Sequence, residues 1–164
     1  MRNLLLISIL LVFRTVVAQF APPVGQLGTT AVYTDSTSIQ FWAKEGVVDR
    51  GWQDIADTSL GKTTIGDASF VSGKADGQVV SLGDRGIVIL SFEKPIMNGD
   101  GPDFAVFENS FDDTFLELAF VEVSTDGVNF VRFPSISNTD TLTQIPSYGI
   151  LDATKINNLA GKYR

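Results

Sequence analysis

The side chains best able to do chemistry in this sequence are three glutamates, a series of loop aspartates and two loop aromatics. Glu108, Glu117 and Glu122 lie close together in the chain. Two carboxylates held roughly 5–9.5 Å apart can work on a glycosidic bond as acid and base or as acid and nucleophile. Glu122 shares a strand face with Leu118 and Phe120, which would turn it partly inward. Arg132 lies across the following hairpin and is its natural partner, so a structural pairing outweighs catalysis. No nucleophile stands beside a base, because the 164 residues contain neither histidine nor cysteine. Imidazole-dependent triads, thiol nucleophiles, disulfides and Cys/His zinc sites are thereby excluded. Gly99-Asp100-Gly101 lacks the spacing and the following helix of a phosphate-cradling loop. No catalytic residue is assigned, and an extra-cytoplasmic glycoside hydrolase is the third-ranked reading.

Asp67, Asp76, Asp84, Asp100, Asp103, Asp126 and Asp140 all sit in or beside turns rich in Gly or Asn. Such carboxylates cap backbone N–H groups and tolerate sharp bends. Outside cells they can also hold calcium, a hard ion that takes several carboxylate and carbonyl oxygens from loops. Asp76 and Asp67 are the candidate metal ligands. The EF-hand spacing does not occur. Trp52 ends the polar stretch Lys44–Gly51, and Tyr148 lies in the turn Pro146-Ser147-Tyr148-Gly149. Exposed aromatics on loops over a rigid scaffold are a common way to bind glycans, so these two are the candidate ligand-binding residues.

The elements that must position these residues read as strands. Short apolar runs separated by Gly, Asp, Asn and Ser predict strands near Ile39–Ala43, Gln78–Leu82, Gly86–Phe92, Phe104–Glu108, Leu116–Ser124, Phe130–Phe133 and Thr141–Ile145. Ile87-Val88-Ile89-Leu90 and Phe104-Ala105-Val106-Phe107 are continuous apolar runs, as in strands covered on both faces. Asp126-Gly127 between β-branched and aromatic runs is a hairpin signature. Seven of the 12 Phe lie between Phe104 and Phe133, which predicts the core there. Leu151–Leu159 is the one modest helix, with Asp152 as its N-cap. The pattern is all-β, a jelly-roll-like antiparallel β-sandwich over residues 38–164, preceded by an N-terminal extension at 19–37.

Residues 1–18 read as a secretory signal peptide: a basic start, the apolar run Leu4–Phe13 broken only by Ser8, then Val16 and Ala18. The run is too short to cross a hydrocarbon core about 30 Å thick, so no membrane span is expected. The whole chain carries net charge −7; removing Arg2 and Arg14 with the signal leaves ten basic against nineteen acidic residues, a net −9. A polyanionic nucleic acid is excluded as a partner by that balance.

Gly73-Lys74-Ala75-Asp76-Gly77, Val80-Ser81-Leu82-Gly83, the block Gly99–Asn109 containing Gly-Pro-Asp-Phe-Ala-Val-Phe-Glu-Asn, and the Val-Ser-Thr-Asp-Gly hairpin follow in order. From about Trp42 to Arg164 this series resembles a family of exported cell-surface proteins frequent in Bacteroidota. The Ala-Asp-Gly turn and the hairpin are more remotely similar to discoidin-like, galactose-binding-like modules, including carbohydrate-binding ones. The resemblance implies a β-sandwich, surface display and binding without catalysis, and supplies no ligand; a surface or host glycan is the ligand class that the loop aromatics Trp52 and Tyr148 suggest. The resemblance also implies a structural calcium at Asp76, and a further strand and sorting domain beyond Arg164. The alternative is a structural stalk or accessory display domain with no ligand of its own.

Export predicts cleavage between Ala18 and Gln19. Intact-mass measurement of the protein secreted by a native-like host should give a chain starting at Gln19; retained Met1 rejects the assignment.

Overall fold

The computed structural model describes residues 20–142, 145–146 and 148–163. The signal-peptide segment lies outside the described residues, as do Thr143 and Gln144 of the strand expected at Thr141–Ile145. Within them the chain is β-rich: three antiparallel two-stranded sheets joined by long loops, with helical structure confined to short 3-10 turns.

The first sheet pairs β1 (Glu45–Asp49) with β2 (Ile87–Ser91), with Val47 opposite Ile89 and Val48 opposite Val88. β1 falls in the stretch read as a polar loop. Its β-branched Val47-Val48 pair sits between polar residues whose side chains alternate outward, so the strand forms despite low average hydrophobicity. Gly46 lets Val71, from the 3-10 turn Ala68–Val71, pack directly against the strand, where a Cβ would collide.

The second sheet is the predicted hairpin, with β3 (Glu122–Val123) against β4 (Val131–Arg132). Its loop is longer than a two-residue turn and is organised by side chains. Asp126 Oδ1 accepts from the amides of Val128 (2.9 Å) and Asn129 (2.7 Å), while Ser124 Oγ accepts from that of Gly127 (2.9 Å). Gly127 takes the positive φ of 71° that this loop requires. Arg132 Nε donates to Glu122 Oε1 at 2.7 Å, and its guanidinium lies 4.2 Å from the centre of the Phe120 ring. The pairing expected across the hairpin is therefore present.

The third sheet joins β5 (Ile136–Ser137) to β6 (Ile156–Asn157). Asp152 caps the turn before β6 as predicted, accepting from Thr154 N at 2.9 Å. The expected helix nevertheless stops after the 3-10 turn Ala153–Lys155. Ile156 and Asn157 are poor helix formers and satisfy their backbone against β5 instead.

The buried core lies here and not under the phenylalanines. Leu116, Leu151, Ala153 and Ile156 are buried, with Leu118 and Leu159 packed around them. Leu151 N donates to Thr114 O (2.8 Å), and Ala119 and Ala160 exchange backbone hydrogen bonds of 3.1 and 2.9 Å. By contrast Phe111 is 77% and Phe120 60% exposed. The run Phe104–Glu108 is irregular backbone instead of a strand, as is Gln78–Leu82. Its aromatics therefore pack in pairs, Phe104 on Phe133 and Phe107 on Trp42, without pooling into one core.

Between β1 and β2 the chain is tied by Arg50. Its Nη1 donates to the carbonyls of Ile65 (2.7 Å) and Ser81 (3.0 Å), and its Nη2 to that of Gly66. Around this fork Gly51 N donates to Leu82 O, and Trp52 and Asp84 exchange backbone bonds of 2.9 and 2.8 Å.

Two outcomes follow. Arg50→Met should lower stability by about 2–3 kcal/mol, because carbonyls in a partly buried junction lose a charged donor. Arg50→Lys should recover less than half, since an ammonium cannot reproduce the planar fork. Chemical denaturation reads both, and full recovery by lysine would assign the effect to charge alone. At the hairpin, hydrogen bonds from Asn129, Val128 and Ser124 hold the Asp126 carboxyl far below the ordinary 3.8. A lowered pKa gives stability that is present above the unfolded value and lost as pH falls. Asp126→Ala should therefore melt below wild type at pH 7, and the two curves should converge as the medium is acidified from about pH 4. A constant gap down to strong acid would rule out the ionised cap as its source.

Candidate binding groove

An open groove of about 440 Å³ lies where Pro23, Asp113 and Thr114 meet Thr139, Asp140, Ile145, Pro146, Ile150–Ala153 and Lys155. Its polar lining comes from Asp113, Thr114, Thr139, Asp140, Asp152 and Lys155, and its apolar lining includes Ile145, Pro146 and Ile150.

Local turn chemistry shapes one wall. Asp112 Oδ1 accepts from the backbone N–H of Thr114 (2.7 Å) and Phe115 (2.9 Å) and from the Thr114 hydroxyl (2.7 Å). Ser110 Oγ donates to Asp112 O at 2.7 Å and also bonds Phe115 O. The tightened loop brings Phe111 and Phe115 onto one side, with ring centres 5.4 Å apart. Tyr148 stacks on Phe115 at 5.9 Å with an interplanar angle of 17°. Its turn is closed by Gly149 N donating to Pro146 O at 2.7 Å. Phe111, Phe115 and Tyr148 thus form a continuous aromatic row, and Tyr148, like Phe111, is largely exposed at 83%.

Across the groove, Asp152 accepts from both the amide and the hydroxyl of Thr154, which holds its carboxyl below the ordinary value. Asp140 Oδ1 accepts from Leu142 N at 2.9 Å. The lining therefore offers aspartate oxygens and apolar side chains, with Lys155 as its one cation among the described residues, and the aromatic row lies outside it.

The residues singled out from sequence fall in separate places. Tyr148 belongs to the row. Trp52 is half-buried at the Arg50 junction, its backbone bridged to Lys62 and Asp84, and lines no part of the groove. Asp67 accepts from Ser69 N (2.8 Å) and Oγ (2.7 Å), capping its 3-10 turn. Asp76 accepts from Gln78 N (3.0 Å) and Nε2 (2.9 Å). Those hydrogen bonds lower the pKa of both carboxyls. Among the described residues no three His, Cys, Asp or Glu side chains gather as a metal-binding group. Calcium at either aspartate would draw further oxygens from backbone carbonyls and water. Of the three glutamates, Glu122 is bound to Arg132 and Glu117 is exposed. Glu108 differs: both its carboxylate oxygens are buried without a hydrogen-bond partner. Burial first, and the Glu117 charge second, push its pKa up to about 7.

Phe111 and Phe115 are the members of the aromatic row that the sequence pattern places in the core. Their signal was the polar company they keep, Ser110-Phe111-Asp112-Asp113-Thr114-Phe115, which breaks any two-residue alternation and marks a loop. No family model, no curated protein and no solved structure matches the chain.

Proposed function

We propose that the chain is an exported, non-enzymatic cell-surface β-sandwich module that binds neutral glycans at this groove. The observation that carries the reading is the aromatic row of Phe111, Phe115 and Tyr148, whose chain neighbours Asp113, Thr114, Pro146 and Ile150 line the carboxylate-bearing groove. The apolar C–H face of a sugar ring packs on an aromatic face, while its hydroxyls donate to fixed carboxylate oxygens. Asp113, Asp140 and Asp152 against Lys155 give the groove a negative balance. That balance repels uronates, sialylated and sulfated saccharides, since like charges at contact distance cost about 1–4 kcal/mol between water and surface dielectric. The signal-peptide pattern and the resemblance to exported Bacteroidota surface proteins support the location.

A glycan array on the secreted protein should return neutral saccharides and no anionic ones. Tyr148→Ala and Phe111→Ala should each weaken binding about tenfold, the effect of losing an aromatic contact of roughly 1–1.5 kcal/mol. Both variants should melt with wild type, because both rings are exposed. Loss of binding in Trp52→Ala but not Tyr148→Ala would move the site to the Arg50 junction. An array without any binder would favour the stalk reading. Repeating the wild-type melt with millimolar calcium and with chelator tests the structural ion: Asp76→Ala should abolish any calcium-dependent rise, and Asp126→Ala should leave it.

A further inference from the structure

We propose that the segment 159–163 is a proton-controlled strap, docked against Leu116–Ala119 when Glu108 is protonated and released when it is not. The proposal is independent of the glycan reading. It starts from a packing fact: Glu108 Cγ lies 3.5 Å from where a Cβ on Gly161 would sit. Gly161 is itself buried, at φ 75°, with its Cα pressed against the Glu117 carbonyl so that no larger residue fits. One residue earlier, Ala160 makes the two backbone bonds to Ala119 that hold the strap. The strap therefore covers Glu108 at close range, and the carboxyl beneath it has two buried oxygens without a partner.

A neutral carboxyl tolerates that setting far better than a carboxylate, whose desolvation is not offset by any donor. The charged and titratable groups on the packed elements do not rescue it. Glu117, on the strand-like segment, repels it. Lys162, on the strap, is buried with its ammonium directed over the rings of Phe20 (5.9 Å) and Tyr163 (5.2 Å). Tyr163 directs its hydroxyl to Thr30 Oγ1 at 2.8 Å. The accessible way to hydrate an ionised Glu108 is to lift the strap and break the Ala119–Ala160 pair.

Glu108 titrates near its ordinary 4.5 when the strap is open and near 7 when it is docked. Docking is therefore fully favoured below about pH 4.5 and weakens as pH rises toward about 7, where the loss levels off.

Hydrogen exchange at the Ala119 and Ala160 amides, corrected for intrinsic rates and followed from pH 5 to 8.5, reads the opening directly. In wild type the opening constant should rise by up to about tenfold per pH unit before levelling, the slope of one linked proton. Glu108→Gln should hold both amides protected with a flat profile. Glu117→Gln removes the repelling charge and should bring the plateau in at a lower pH. Parallel wild-type and Glu108→Gln profiles overturn the proposal. Should Glu108→Gln fail to fold, an unshifted plateau in Glu117→Gln overturns it equally.

Discussion

The fold rests on one demand: loop carbonyls in a chain with little regular structure must find donors. Arg50 meets the largest share of it. Its guanidinium reaches three carbonyls, of Ile65, Gly66 and Ser81, that belong to two loops far apart in sequence. Arginine suits this role because its donors are fixed in a plane and its charge persists at every accessible pH. With those loops fastened, Gly51 and Trp52 can pair with Leu82 and Asp84, and β2 emerges in register with β1. The glycine beside the fork is obligatory for the same reason. A Cβ at Gly51 would strike the Asp84 carbonyl and part the two loops.

Acidic side chains meet the complementary demand, supplying acceptors for the backbone N–H groups of the turns. Asp67, Asp76, Asp112, Asp126 and Asp152 each accept from an amide two residues ahead, and in most cases from a neighbouring hydroxyl or amide group as well. Each such bond closes a turn without help from a sheet. The chain's acidity is thus partly architectural: aspartate is abundant because turns are abundant. This also explains why a list of loop aspartates is a poor guide to metal sites. A carboxylate already committed to its own turn must share or give up those bonds to become a ligand.

How much was legible in the sequence depends on whether a signal was local. The Asp126-Gly127 hairpin, the Glu122–Arg132 pair and the Asp152 cap were readable because each depends on residues a few positions apart. So was the β-rich character, and so was the exposed setting of Tyr148. β1 was not, since its apolar content is little more than Val47-Val48 and its partner lies some forty residues away. The phenylalanines misled for a related reason. Hydrophobicity shows that a side chain gains from burial but not which surface covers it, and the Ser, Asp and Thr around Phe111 and Phe115 force a loop that leaves Phe111 outward and Phe115 half-buried. The sandwich itself belongs with the proposal. The three described two-stranded sheets show a β-rich chain.

The two kinds of carboxylate in this chain pull its stability in opposite directions with pH, and they do so in different places. Turn-capping aspartates are stabilised as anions, so the hairpin and the 3-10 turns strengthen as pH rises past the carboxylate range. Glu108 is stabilised as a neutral acid, so the packing of 159–163 on 116–119 weakens over the higher interval that ends near pH 7. A single melting curve averages these and flattens both. The separation is enforced by geometry: the aspartates sit on exposed turns where donors and water are at hand, and Glu108 sits under Gly161 where neither reaches it. An acidic chain can therefore firm its loops and loosen one segment as the pH rises.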